Sequence, residues 1–309
     1  IFSYPGGCDI GSRPIDLHLK SFEKLGANIE EHYGRIICKV EEINGTEINL
    51  DFPSVGTTEN IILASVFGNG CTTIINAAME PEIVDLQEFL NRMGAKIEGA
   101  GSNIIKIEGI ERLKDVSYNI MPDRIEAGTL LCAAAITGGE IKLKRVNPNH
   151  MLPILDKLTD IGCKIAIKEN EIELKAPKRL KAQDIRTMPY PGFPTDMQAI
   201  ISTCLATANG TSVVVENIFE NRFKYTQELN KMGAKISIEG KTAIIKGSKR
   251  LYGANVKATD LRGGVSLVLA GLIAKGKTRV DNIEFILRGY EKIEEKLKKL
   301  GAEIYIIKP

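Results

Sequence analysis

The pentapeptide MGAKI occupies residues 93–97 and returns letter for letter at 232–236. Near copies stand at 25–29 (LGANI), 161–165 (IGCKI) and 300–304 (LGAEI). Their glycines, Gly26, Gly94, Gly162, Gly233 and Gly301, lie 68, 68, 71 and 68 residues apart. A spacing held that closely over five copies marks a chain built from one repeated supersecondary unit.

Working outward from the glycine gives the unit. Before it runs an amphipathic stretch, such as Ile293, Leu297 and Leu300 in GYEKIEEKLKKL, or Ile154, Leu158 and Ile161 in the third copy. A helix is predicted to end there, with glycine supplying a left-handed C-terminal cap. After it come short alternating runs, KIAIKEN then EIELK, and KISIEG then TAIIKG, which read as strand hairpins. Further upstream lie a strand, a polar turn, an Ala/Leu-rich helix and a β-branched strand, as in DRIEAGTLLCAAAITGGEIKLKRVN. The unit is α/β, roughly β-α-β-α-β-β. Full copies place Ser54, Asp123, Asp196 or Asp260 at a helix start about 40 residues before the glycine. Gly26 has only 25 residues ahead of it, so the first copy reads as a half unit. Repeats of this kind bury their faces against one another, and the expectation is an N-terminally truncated chain.

Composition sets the frame for function. The 309 residues are 43% hydrophobic and 26% charged, enough for about two domains. Lys and Arg number 41 against 39 Asp and Glu, a net charge of +2 without long single-sign blocks. That balance argues against a general nucleic-acid or membrane-surface binder. Apolar runs such as SLVLAGLIA are too short to span a bilayer, no signal peptide is seen, and a cytoplasmic location is expected. Of six cysteines, those at 38, 71, 132, 163 and 204 fall in apolar runs and are expected to be buried, the usage of a reducing compartment. His18, His32 and His150 form no ligand pair, and no CxxC or HExxH occurs, so no metal or other cofactor is expected.

Chemistry is expected at two recurring loops, one before each helix of the unit. Helix N-termini offer unpaired N–H groups and a positive dipole end, and several converging would make an anion site. The first loop type carries PSVGTTEN (53–60), MPDRIEAGT (121–129), FPTDMQA (193–199) and ATDLRGG (258–264). An Asp or Ser there is an N-cap or a working group. Asp196, and Asp260 two residues ahead of Arg262, are the sharper candidates for a base beside an anion clamp. The second loop type carries PGGCDIGSRPIDL (5–17), AMEPEIVD (78–85), NPNH (147–150), IFENRF (218–223) and FILRGY (285–290). Arg222 and Arg288 take equivalent places there, either as surface arginines or as anion ligands. Cys8 follows two glycines and precedes Arg13 by five residues, a setting that favours an accessible thiolate.

These motifs, in order and over residues 1–309, resemble the UDP-N-acetylglucosamine 1-carboxyvinyltransferases, a family of enolpyruvyl transferases. The segments that carry the resemblance are PGGCDIGSRPIDLHL, SVGTTEN, AMEPEIVD, MPDRIEAGT, FPTDMQA, FENRF, ATDLR and RGYEKIEEKL. The shikimate-pathway enolpyruvyl transferase shares the repeat architecture but lacks the PGGC loop. The resemblance implies two inside-out α/β barrels of three repeats each. Residues 1–121 would hold one and a half repeats of the first domain and 122–309 the whole second domain, leaving roughly 100 residues unaccounted for at the observed period. In the family that portion carries a Lys-Asn pair for phosphoenolpyruvate.

The implied reaction moves enolpyruvate from phosphoenolpyruvate to the 3-hydroxyl of UDP-N-acetylglucosamine, releasing phosphate by addition and elimination, at the first committed step of peptidoglycan synthesis. By resemblance Cys8 is the proton donor on a lid loop and Asp196 accepts the hydroxyl proton. Arg13, Arg262 and Arg288 neutralise phosphate and carboxylate, with Asp260 near the reacting carbon. Arg13, Pro14, Ile15, Asp16 and Leu17, with Phe52, Pro53, Ser54, Val55, Asp196, Ile218 and Arg222, are implied sugar-nucleotide contacts. At Phe52-Pro53 the family often has a lysine-containing loop, so one nucleotide contact is expected to differ. Alternatives are a binding-only remnant or another enzyme on the same scaffold. A monomer using two small-molecule substrates, without nucleic acid or membrane, is expected.

Overall fold

The computed structural model describes residues 2–3 and 15–307. They divide into two compact units, one of residues 2–3, 15–121 and 189–191, the other of 122–188 and 192–307.

The first unit runs β1 (Phe2–Ser3), α1 (Asp16–Lys24), β2 (Asn28–His32), β3 (Arg35–Lys39), β4 (Glu47–Asn49), α2 (Val55–Ser65), β5 (Cys71–Ile75), α3 (Pro81–Arg92), β6 (Lys96–Glu98) and β7 (Ile104–Glu108). The order β4-α2-β5-α3-β6-β7 is the β-α-β-α-β-β unit expected from the repeat. Its sheet is ordered β4-β5-β7-β6, with β4 parallel to β5 and the other pairs antiparallel. The half copy ahead of it makes a β1-β3-β2 sheet.

The second unit contains α4 (Arg124–Thr137), β8 (Glu140–Lys144), α5 (Leu152–Asp160), β9 (Lys164–Lys168) and β10 (Glu171–Lys175). There follow β11 (Ile185–Arg186), α6 (Gln198–Leu205), β12 (Thr211–Val215), α7 (Tyr225–Lys231), β13 (Lys235–Glu239) and β14 (Thr242–Lys246). It closes with β15 (Asn255–Lys257), α8 (Leu261–Ile273), β16 (Arg279–Asp281), α9 (Glu284–Leu287) and α10 (Ile293–Lys299). The fourth copy reproduces the earlier sheet as β11-β12-β14-β13 with the same parallel and antiparallel pattern. Two copies fall short of the full unit. No strand precedes α4 after β7, and no hairpin follows α10 among the described residues.

The glycine caps explain why the repeat is so legible. Gly94 (φ +106°) and Gly233 (φ +91°) sit in the left-handed region that other L-residues avoid. In all five copies the next residue's N–H returns to the helix five residues back: Ala27 to Phe22, Ala95 to Leu90, Cys163 to Leu158, Ala234 to Leu229 and Ala302 to Leu297, at 2.9–3.1 Å. This Schellman closure ends each helix, and in the first four copies it leads directly into a strand. Asn91 locks the same corner from the side, exchanging hydrogen bonds with Ile97 N–H and C=O, and Asn230 does so with Ile236.

Helices α4, α6 and α8 pack against one another and carry apolar residues all round. A helix without a polar face must be enclosed. All eight residues of α6 are buried, and the sheets β8-β10-β9 and β11-β12-β14-β13 lie against this helical centre. The architecture is therefore inside-out, helices within and sheets outside. Each fully buried Leu or Ile at this centre, such as Leu131, Ile200 or Leu267, contributes about 1.5–3 kcal/mol. In the first unit a separate core gathers Ile61, Ile62, Ile74, Ile83, Ile105 and Ile107.

One expectation about the cysteines fails. Cys132, Cys163 and Cys204 are buried, but Cys71 is exposed and Cys38 only half-buried. Both lie on strands, and Cys71 begins β5 on the outward phase of its alternating burial. An apolar neighbourhood in sequence does not bury every residue of a strand.

Candidate functional site

In the second unit the loops at one end of the helical centre bring charged side chains together. Pro194, with extended backbone, leads into a single 3-10 turn, Thr195–Met197, ahead of α6. Asp196 sits in this turn and caps no helix, unlike the role its position in the repeat suggests. Its Oδ1 accepts from Arg222 Nη2 at 2.8 Å, and its Oδ2 from Arg262 Nη2 at 2.9 Å and Nε at 3.1 Å. The carboxylate is 38% exposed, whereas Arg222 is 4% and Arg262 13% exposed. A buried and a largely buried cation thus hold an anion that still reaches the surface. Burial works against ionisation of Asp196, but the charges and hydrogen bonds of Arg262 and then Arg222 outweigh it and hold the carboxyl below its ordinary value.

Each arginine is fixed by its element. Arg222 follows β12 in the loop to α7 and stacks on Phe219, 5.3 Å from the ring centroid. Arg262 is the second residue of α8, and its guanidinium lies 5.3 Å from the ring centroid of Tyr290. The Tyr290 hydroxyl in turn pairs with Thr129 of α4 at 2.8 Å. Tyr290 thus links Arg262 at the start of α8 to the second turn of α4. Arg262 Nη1 and Arg222 Nε are buried and have no hydrogen-bond partner among the described residues.

Asp260 behaves differently. It is 3% exposed, caps α8 by accepting from the N–H groups of Arg262 and Gly263 at 3.1 and 2.9 Å, and accepts from the Thr259 hydroxyl at 3.0 Å. Asp123 caps α4 in the same way. Arg288 is exposed at the C-terminal end of α9, its guanidinium 5.4 Å from the Phe285 centroid. Ile218 is half-buried, with its N–H on Glu216.

Glu216 is the residue that the sequence did not single out. It is 1% exposed, and its carboxylate accepts from the hydroxyls of Thr187 and Thr195 and the N–H groups of Ile218 and Phe219 at 2.8–3.1 Å. It ties the turn carrying Asp196 to the loop carrying Arg222. A glutamate closing the β-branched run SVVVE was the available signal.

Cys8, Arg13 and Pro14 lie outside the described residues, and the other candidates named near the N-terminus belong to the first unit. Ile15 precedes α1 without a side-chain cap, and Leu17 is half-buried. Asp16 makes an exposed ion pair with Lys20 at 3.9 Å, a contact of little energy. His18 joins α1 to α2 through Nδ1, 2.8 Å from the Asn60 amide nitrogen. Burial lowers its pKa, opposed by the charge of Asp16. Ser54 caps α2, its hydroxyl oxygen accepting from Thr57 N–H at 3.3 Å. Phe52 is 44% exposed, with Pro53 and Val55 half-buried beside it. Glu59, raised by burial and by the nearby charges of Glu82 and Glu80, completes this corner.

Known proteins give this arrangement its kinship. Residues 1–297 match the family described as EPSP synthase (3-phosphoshikimate 1-carboxyvinyltransferase). The chain is 54% identical over 303 residues to UDP-N-acetylglucosamine 1-carboxyvinyltransferase 1 of Caldanaerobacter subterraneus subsp. tengcongensis, covering 98% of this chain and 73% of that protein. It is 53% identical to the protein of that name from Symbiobacterium thermophilum, covering 98% and 69%. Among solved structures, the enolpyruvyl transferase NikO from Streptomyces tendae superposes with a TM-score of 0.86 at 24% identity, covering 96% of this chain and 73% of that one. EPSP synthase from Acinetobacter baumannii superposes with a TM-score of 0.73 at 20% identity, covering 97% and 73%. The solved structures share the fold, the curated relatives share more than half of the residues, and the chain belongs to the UDP-N-acetylglucosamine 1-carboxyvinyltransferase family of enolpyruvyl transferases.

Proposed function

We propose that the protein transfers enolpyruvate from phosphoenolpyruvate to the 3-hydroxyl of UDP-N-acetylglucosamine and releases phosphate, the first committed step of peptidoglycan synthesis. The observation that carries this is the accessible Asp196 carboxylate seated on Arg222 and Arg262, in a chain so similar to enzymes of that name. The reaction needs a base for the sugar hydroxyl, cations for phosphate and carboxylate, and a proton for the methylene carbon. Asp196 is the base. Arg262, Arg288 and Arg13 take the anionic groups, Asp260 stands near the reacting carbon while capping α8, and Cys8 delivers the proton. In the addition step the hydroxyl oxygen bonds to C2 as C3 gains a proton; in the elimination C3 loses a proton as the C2–O bond to phosphate breaks.

Residues 13–17 and 52–55, with Asp196, Ile218 and Arg222, are assigned to the sugar nucleotide. Phe52, exposed where the family often has lysine, leaves an apolar rather than ionic contact there. Residues 1–121 are taken as one and a half repeats of a first domain and 122–309 as three repeats of a second. The protein is taken as a cytoplasmic monomer serving cell-wall growth, shape and division. Among the described residues no helix is long and apolar enough to cross a membrane.

The test is phosphate release by the intact protein with each substrate alone and with both, and the mass of the sugar nucleotide afterwards. Release that requires both, with the sugar nucleotide gaining an enolpyruvyl group, is expected. Release independent of the sugar nucleotide, or sustained by shikimate 3-phosphate in its place, contradicts the assignment.

A further inference from the structure

The carboxylate assigned as base is held in a state unsuited to that work. Oδ1 of Asp196 accepts from Arg222 and Oδ2 accepts twice from Arg262. A carboxylate with both oxygens engaged by guanidinium groups offers a poor lone pair and little basicity for proton abstraction. Three of its roughly four acceptor sites are taken, and release of Oδ2 would raise its basicity.

The two arginines differ in what they can give up. Arg222 is 4% exposed, stacked on Phe219, and uses one nitrogen on Asp196. Arg262 is more exposed, at 13%, and spends its Nε and Nη2 on a single oxygen. That is the edge of a guanidinium that grips a phosphate by two parallel hydrogen bonds. It cannot hold Asp196 and a phosphate in this way at once. Arg262 Nη1 meanwhile takes no part in holding Asp196. The other carboxylates here are committed elsewhere, Asp260 to the start of α8 and Glu216 to four donors of its own loops.

We propose that Arg262 is an exchangeable partner of Asp196: the phosphate group of an incoming substrate takes its Nε–Nη2 edge, freeing Oδ2 to accept a proton while Arg222 keeps Oδ1. Anion binding arms the base, and without the anion the base is idle. This deepens the proposed function and rests on Asp196 as its base.

The experiment measures binding of inorganic phosphate to the intact protein by calorimetry. Asp196→Asn removes the competitor and is expected to tighten phosphate about tenfold. Arg262→Gln is expected to lose phosphate binding and to cancel that gain in the double variant. In the arginine Nε–H spectrum of the unaltered protein, phosphate is expected to shift the Arg262 signal and leave that of Arg222 in place, an arm that depends on no variant. Unchanged or weaker binding in Asp196→Asn, or movement of Arg222 instead of Arg262, overturns the exchange. Turnover reads out separately: activity retained in Asp196→Asn removes the base assignment and leaves the phosphate result to stand by itself.

Discussion

The starts of α6 and α8 occupy the same place in successive repeats, each offers an aspartate, and the two aspartates do different work. Asp260 is 3% exposed and spends its carboxylate on the first N–H groups of its own helix. Asp196 stands in a 3-10 turn ahead of α6, a helix that begins without a side-chain cap, and faces Arg222 of the loop after β12 and Arg262 of α8. The difference arises outside both helices. Glu216 binds the Thr195 hydroxyl on one side and the loop of Ile218 and Phe219 on the other, which pins the turn and brings Arg222 beneath it. A repeat decides where a loop lies. A third residue decides whether its carboxylate serves the helix or the surface.

The comparison breaks most visibly at Glu216. Glu216→Ala strands donors at both loops, with an expected loss of about 3 kcal/mol in a urea melt; a loss below about 0.5 kcal/mol, the scale of a neutral surface change, would mean the loops hold themselves. At α8, Asp260→Ala is expected to cost about 1–2 kcal/mol as a lost cap, and Asp260→Asn only a few tenths. Equal losses in both would show that charge rather than capping keeps Asp260 in place. Gly233→Ala, at φ +91°, tests the scaffold that both aspartates share and is expected to cost about 1–2 kcal/mol.

The smallest effect is in acid. Asp196 has a folded pKa below its unfolded value, so its ionisation stabilises the fold above the unfolded pKa of about 3.9, and that contribution fades as pH falls through the folded value. The difference in urea midpoint between the unaltered protein and Asp196→Asn is expected to shrink steadily below about pH 4. A difference that grows toward low pH contradicts the lowered pKa.

Much of this was legible in the letters because glycine cannot be replaced cheaply at a left-handed cap. MGAKI announced each helix end and the hairpin after it, and the Ala/Leu-rich runs announced helices enclosed on all sides. Asp196, Arg222 and Arg262 were each visible as polar residues at recurring loops. Their mutual pairing was not, because it joins residues 26 and 66 positions apart through side chains rather than through the repeat. Glu216 escaped for a similar reason: its partners come from three loops, and nothing local marks a strand-end glutamate as buried. Cys71 shows the opposite failure, an apolar context that hid the outward phase of a strand.

Turnover of Asp196→Asn on phosphoenolpyruvate and UDP-N-acetylglucosamine, followed by phosphate release beside the unaltered protein, tests the central claim most directly. Asparagine keeps the shape and loses the base, and kcat is expected to fall about 10²–10⁴-fold with the fold intact by circular dichroism. Turnover within a few fold of the unaltered protein would show that the carboxylate on its two arginines is part of the scaffold and that the base lies elsewhere.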